Sequence, residues 1–568
     1  MKCNSVIKEL EQAIKTEEER IKSSTIASGQ MSLIELSRSM DSYLVGANFR
    51  DERKGDDSYL DHLYQMGWTQ AIRIFLDNSI LKEGYPLFKT NTNFSGWADS
   101  IIQACGELAQ AKQIVDYCKK GLAEPIRRER NDYYIKLLPA RLRGVESLER
   151  EEFSWMSEFI SNTYQKDYKN ILKELIPTIS SVMKEKVYTW REDYIGYDTT
   201  PEIDEYFLQV ALLEAQKYIG NDSFSGDAKF GDLEFDHIRA AIVVLLSFSI
   251  KHTSFCLKLI EKNPDIKLRN ILNNNQLIED VAHSLSSALE IEKETALKIL
   301  DLFILDNDNI KLHCEGIAEA PPPFITIAKG MIMYSATGFR VNPFLFMLKE
   351  LKKRYPKDWD KAQNQREDAF RKELYELFPS DHYIKLDRPI IIKMNGKVVS
   401  DIDGFVFDKR TGVLGLFQLK WQEPFSHSMQ ERESRKKNFI NKSNGWIEAV
   451  LEWIKDKTTD ELANAFGVKA SALKELKKIV LFVVGRNSAH FTGDEVPDER
   501  VAWGLWPQIL RIVSENGLND KEAFENPILW LYESLKSDSP MLKKIEVPDT
   551  EELKFGKYKL IVELNENK

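Results

Sequence analysis

An acid, an amide and an amine fall close together near the middle of this chain. Residues 398–421 read VVSDIDGFVFDKRTGVLGLFQLKW. Two apolar runs, Val398–Phe407 and Val413–Trp421, flank the polar Asp408-Lys409-Arg410-Thr411-Gly412. Turn chemistry between two strand-like runs predicts a β-hairpin. With the turn centred between Arg410 and Thr411, Asp403 stands opposite Gln418 and Asp401 opposite Lys420. Side chains alternate along a strand, so these four share one end of one face. Phe405, Phe407, Leu414 and Leu416 fill the rest of it, and Ile402, Val406, Val413, Phe417 and Leu419 take the other face. Two apolar faces predict a central hairpin covered on both sides. A slip of one residue would send the polar groups to opposite faces. Charge gathered at the end of such a hairpin has two readings. One is an Asp403–Lys420 ion pair closing a sheet end. The other is a site in which carboxylate, amide and ammonium act together.

Asp403, followed fifteen positions on by Gln418-Leu419-Lys420, resembles the PD-(D/E)xK nuclease signature. It is similar to the QxK form found in Mrr-like restriction endonucleases. The resemblance implies that Asp403 ligates a divalent metal, with the Gln418 amide oxygen and the Leu419 carbonyl as further ligands. It implies that Lys420 positions the attacking water or stabilises charge developing on phosphate. Ile402 stands where the family has Pro. Gln418 stands where it has Glu, which removes one negative charge from the site. The implied cofactor is Mg²⁺, with Mn²⁺ as a substitute. Such an ion, held by few oxygens and keeping several waters, supplies charge stabilisation and an activated water for phosphodiester hydrolysis. Lys420 adds positive charge without being a ligand. Asp401 either holds the Lys420 ammonium or joins the metal shell.

The surrounding elements must position this set. A helix is predicted from Pro356 to about Phe378, with Glu367, Phe370, Leu374 and Leu377 on one side. The resembled family packs a helix beside its catalytic hairpin and often draws a Glu from the first half, a place Glu367 matches, with Glu373 as the alternative. Tyr383–Lys393 is strand-like, with a turn around Asn395-Gly396. After the hairpin, Arg432, Arg435, Lys436, Lys437 and Lys442 lie on a predicted helix leading to Trp446 and Trp453. They are the candidate contacts to DNA phosphates, opposed by Glu431 and Glu433. The Gln-x-x-x-Tyr motif of some exonuclease relatives is absent after Gln430, so no requirement for a DNA end is inferred. Lys478–Gly485 is an apolar run suited to a buried strand, and Val501–Trp506 a shorter one leading into a helix. This order of elements over 345–515 matches the core of the resembled family.

The rest of the chain sets bounds. Its 568 residues suggest about three to four domains. A net charge of −10 confines any nucleic-acid contact to a local patch on an acidic body. Five scattered cysteines without a CxxC pair read as reduced thiols of a cytoplasmic protein. The polar N-terminus has no signal-peptide pattern, and the longest apolar run, Ala240–Phe248, is short for a membrane span. Ile7, Leu10, Ala13 and Ile14 mark the packed face of a first helix. The basic and aromatic run around Arg127, Arg128, Arg130, Tyr133 and Tyr134 is diluted by acids and reads as a solvated face. His313-Cys314-Glu315 lacks ligand spacing for a metal. Pro177 is expected to interrupt a helix, and Pro321–Pro323 to mark a stiff connector.

The expected fold is multidomain: a predominantly α-helical N-terminal region, then an α/β restriction-endonuclease-like domain with a mixed central sheet. The expected divisions are helical regions at 1–150 and 151–320, a Pro-containing linker at 321–344, the nuclease-like domain at 345–515 and a C-terminal extension at 516–568. The expected function is a Mg-dependent endodeoxyribonuclease in a restriction or anti-phage setting, the setting resting on analogy. RNA stays open as a substrate. The helical N-terminal region is the expected place for a protein partner or homo-oligomer; no membrane is expected. The alternative is a catalytically degenerate nuclease fold acting as a binding or scaffold protein.

Overall fold

The computed structural model describes residues 2–24, 29–47, 55–76, 84, 86–137, 145–163, 165–218, 224, 226–316, 319–394, 396–422, 434–491, 497–516, 525–540 and 550–563. The chain forms two compact units, so it is a multidomain α/β protein. One comprises Met1–Leu138, Thr163–Trp359 and Val547–Lys568; the other comprises Pro139–Asn162 and Asp360–Glu546.

The first unit is mainly helical. Lys2–Ser23 buries Ile7, Leu10, Ala13 and Ile14 on one face, together with helices Gly29–Ala47, Gly55–Leu76 and Thr92–Lys119. Gly67 and Gly106 let two of these helices meet backbone to backbone, since a Cβ on Gly67 would stand 2.0 Å from the Ile102 carbonyl oxygen. The C-terminal strands Thr550–Phe555 and Tyr558–Glu563 complete a four-stranded sheet begun by Ala123–Glu129 and Asp132–Leu137. Phe235–Lys262 has the length and composition of a membrane span, yet 67% of its apolar window is buried within the protein.

Two expectations fail in this unit. Helix Lys166–Lys186 continues past Pro177 without a break. Leu172, Ile179 and Met183 are buried while Pro177 is exposed, so packing of the apolar side offsets the roughly 3 kcal/mol cost of an interior proline. Nor is 321–344 a linker. Pro321, Pro322 and Pro323 are buried and lead into strands Phe324–Ala328 and Met331–Tyr334. Those strands pair antiparallel around Gly330, whose φ is +71°, inside a four-stranded sheet. The prolines fix an extended entry, and the apolar residues that follow carry the strands.

The second unit is built on a mixed five-stranded sheet. Its order is Tyr383–Lys385, Gly404–Asp408, Val413–Lys420, Lys478–Gly485, Ala502–Leu505. The first three strands run antiparallel and the last three parallel. Phe405, Phe407, Leu414 and Leu416 face one core with Trp446, Ile447, Val450 and Phe466 from helices Lys442–Ile454 and Thr459–Phe466. Val406, Val413, Phe417 and Leu419 face another core with Phe370 and Leu374, and with helices Trp506–Asn516 and Pro527–Ser537. Helix Val145–Thr163 also belongs here. Its buried Glu149 accepts from the backbone N–H groups of Ala489 and His490, both at 2.9 Å.

Candidate active site

The central ladder has the register expected from its turn: Gly404 pairs with Phe417 and Asp408 with Val413. Gly412, at φ +74°, donates its N–H to the Asp408 carbonyl at 2.9 Å and closes that turn. The first strand is not continuous, however. It bends at Asp403, and Lys397–Ile402 leaves to pair with Ile390–Met394, placing Asp401 opposite Ile391. Two expectations are corrected by this bend. Asp401 is not laddered against Lys420, and Ile402 packs with Phe405, not with Val406. The Trp446 indole pins the departing strand by donating to the Asp401 carbonyl at 2.6 Å.

At the bend, the Asp403 N–H donates to the Phe417 carbonyl at 3.0 Å, so the residue still meets its partner strand. Its carboxylate is buried. Oδ2 accepts from the Leu419 N–H at 2.7 Å and from the Gln418 amide nitrogen. N–H and carbonyl of one strand residue face the same edge, so the Leu419 carbonyl also turns toward Asp403. The Lys420 carbonyl faces the opposite edge and accepts from the Arg486 N–H at 2.9 Å.

Helix Pro356–Glu376 brings the other groups. Phe370 and Leu374 sink into the core and leave Glu367 half-buried at the sheet end. Glu367, Asp401, Asp403 and Lys420 feel one another's charge. Burial pushes the Asp403 carboxyl up to about 7; the Lys420 ammonium opposes this, and the Glu367 and Asp401 carboxylates add to it. Burial likewise raises Glu367, with Lys420 opposing and Asp401 adding. Three acids face one amine, and Arg371 and Asp368 stand beside Glu367 as a paired cation and acid, so negative charge is in excess in a partly dry place. That imbalance accommodates a cation better than a closed ion pair does.

The alternative carboxylate, Glu373, is taken by an ion pair with Arg486, which leaves Glu367 as the acid facing the site. Arg371 was not singled out in the sequence; its guanidinium donates to the Asp403 carbonyl at 3.2 Å and steadies the bend. Its place one helical turn after Glu367 was the available signal. The Tyr375 hydroxyl accepts from the Phe405 N–H at 3.1 Å, just past the bend.

The candidate donors are all oxygen: the Asp403 carboxylate with the Glu367 or the Asp401 carboxylate, the Leu419 carbonyl, and Oε1 of Gln418 if its amide turns over. Such donors suit a hard divalent cation. Among the described residues no three or more His, Cys, Asp or Glu are gathered closely enough to hold a metal by themselves. Mg²⁺ commonly takes one or two carboxylates and keeps its waters, so the set fits it without a closed cage.

Of the candidate phosphate contacts, Lys437 is exposed, Arg435 half-buried and Lys436 buried, while Arg432 lies outside the described residues. Burial of Lys436 withdraws it from the expected basic face, because Phe439 and Ile440 draw the segment into the core. Lys442 is exposed one turn on. His313, read as no metal ligand, pairs with Glu350 at 2.7 Å.

No family model, no curated protein and no solved structure matches this chain.

Proposed function

We propose that the second unit is a metal-dependent nuclease of PD-(D/E)xK type that hydrolyses phosphodiester bonds of DNA. The observation that carries this reading is the bend at Asp403. It gathers a buried carboxylate, the Gln418 amide, the Lys420 ammonium and the Glu367 carboxylate of a neighbouring helix at one sheet end. The mixed sheet with helices on both faces agrees with a restriction-endonuclease-like core.

In this reading Asp403, Glu367 and the Leu419 carbonyl hold the metal, with Gln418 turning its oxygen toward it. When bound, Mg²⁺ or Mn²⁺ neutralises phosphate charge and acidifies a water. Lys420 faces the scissile phosphate and meets the negative charge that grows there. Arg371 and Tyr375 keep the bend fixed, so the carboxylate stays in place through the reaction. Lys437 and Lys442 hold the DNA backbone beside the site.

One observation favours a second reading, a degenerate scaffold: the Gln418 nitrogen already satisfies Asp403, as in a closed hydrogen-bonded pair. Conversion of supercoiled plasmid to nicked and linear forms with Mg²⁺ or Mn²⁺, beside single- and double-stranded RNA, separates the two. A nuclease cuts at least one substrate in a metal-dependent way; a scaffold cuts none.

A further inference from the structure

The strand that leaves the site at Asp403 forms a two-stranded ribbon in the second unit. Ile390–Met394 and Lys397–Ile402 pair only with each other. One face is seated, since Ile390, Ile392 and Ile402 pack with Trp446, Ile447 and Val450 of helix Lys442–Ile454. The other face is bare. The register sets Ile391 opposite Asp401 and Lys393 opposite Val398 on that face. Ile391 is 50% and Val398 63% exposed, and Lys393 is exposed with them. Val399 is an extra residue in the ladder, and such a bulge sharpens the twist of a ribbon.

The bare face is continuous with the candidate active site. Asp401 lies at its near end, and its carboxylate acts on Asp403. From Asp401 to Lys397 the strand runs about 13 Å. A polymer laid across the site in that direction lies over the ribbon. The ribbon also has the charge that a polyanion needs. Residues 388–400 carry Arg388, Lys393 and Lys397 and no acid, in a chain whose net charge is −10. Among the described residues neither Lys393 nor Lys397 is in an ion pair. This is a local basic patch on an acidic body, which is how such a chain can hold a nucleic acid.

Two paired strands about 5 Å apart suit the major groove of B-form DNA, which is about 12 Å wide and admits such a ribbon. Duplex RNA has a deep, narrow major groove that shuts it out. We propose that the ribbon 390–402 enters the major groove of duplex DNA beside the scissile phosphate. Ile391 and Val398 then lie on base edges, and Lys393 and Lys397 reach phosphates of the groove walls. The proposal rests on the nuclease reading for the place of the cut, and it narrows the substrate to B-form duplex DNA. Ile391 and Val398 offer no hydrogen bond, so the ribbon selects the shape of the duplex and not a hydrogen-bonded base sequence.

The test is fluorescence anisotropy of the full chain at low salt, in EDTA and, as Asp403→Ala, with Mg²⁺, so that nothing is cut. The probes are a labelled DNA duplex of about two helical turns, its single strand and duplex RNA of the same sequence. The DNA duplex is expected to bind at least about fivefold more tightly than either of the others. Lys393→Gln with Lys397→Gln is expected to weaken it about tenfold and to lower the slope of log Kd on log salt by about two. Ile391→Thr with Val398→Thr keeps β-branched side chains and is expected to weaken it about threefold with the slope unchanged. Both pairs alter exposed residues and keep the melting temperature. Duplex binding that the lysine pair weakens, in a chain that cuts nothing with metal, would leave the groove contact standing and remove the nuclease reading alone. The proposal is overturned if the single strand or duplex RNA binds as tightly as the DNA duplex, or if both variant pairs bind as the parent does. It is also overturned if the duplex does not bind at about 100 μM protein under either condition.

Discussion

The Gln418 amide nitrogen donates to Oδ2 of Asp403 across the sheet, at the point where the first strand bends away. This contact keeps the amide neutral side by side with a buried acid where the resembled motif most often has a second acid. Gln418→Glu adds a negative charge next to Asp403, Glu367 and Asp401. The metal-free variant is expected to melt several degrees below the parent. Mn²⁺ is expected to bind it about tenfold more tightly, by one added charge at intermediate dielectric. Thermal melts with and without Mn²⁺, and titration calorimetry, check both. A variant that melts higher without metal would contradict the crowding of acids described here.

Much of this site was legible in the sequence because a turn of fixed length fixes a register. Asp408-Lys409-Arg410-Thr411-Gly412 placed Asp403 by Gln418 correctly. The bend was not legible. Val398–Asp403 alternates as well for one partner strand as for another, and the competitor Ile390–Met394 lies only a short turn away. Local pairing won, and Asp401 and Ile402 moved with it. The strands after Pro321–Pro323 are hard to read from sequence because three prolines mask the short apolar runs Phe324–Ala328 and Met331–Tyr334 behind them. The place of helix Val145–Thr163 in the second unit depends on Glu149 meeting residues 489 and 490, a contact of long sequence separation with no local signature.

Asp403 sets a pH dependence. Its folded carboxyl sits near 7, above the ordinary value of 3.8. Between about pH 4 and 7 the folded state therefore holds more protons than the unfolded chain, and this group's contribution to stability falls as pH rises. Above 7 the loss levels off, at up to about 4 kcal/mol. Asp403→Asn keeps an oxygen to accept from Leu419 and removes the charge. It is expected to melt higher than the parent at pH 8 and close to it at pH 4. Melting curves across that range, without divalent metal, decide the matter; a parent whose advantage grows with pH would contradict it.

Gly412 holds the turn that joins the two site strands. A Cβ there would stand 2.0 Å from the Glu475 carbonyl oxygen, and its φ is +74°. Gly412→Ala combines left-handed strain with a backbone clash and is expected to cost about 2 kcal/mol or more. Urea denaturation measures it. Gly396→Ala also strains a positive φ, but nothing lies within 4 Å of its Cβ, so a smaller loss is expected.

Arg371 acts through Asp403, since it donates to that residue's carbonyl. Arg371→Ala is expected to lower kcat about tenfold or more while KM for DNA moves little, because positioning and not binding is lost. Arg371→Lys recovers part of the rate. A change confined to KM would place Arg371 on the DNA instead.

Plasmid nicking by the parent, Asp403→Ala and Lys420→Ala, in Mg²⁺ or Mn²⁺, bears most directly on the bent-strand site. The parent is expected to convert supercoiled DNA to nicked and linear forms only with metal, and both variants to fall at least about a hundredfold while remaining folded. Cleavage that continues undiminished in both variants would contradict the assignment of Asp403 and Lys420.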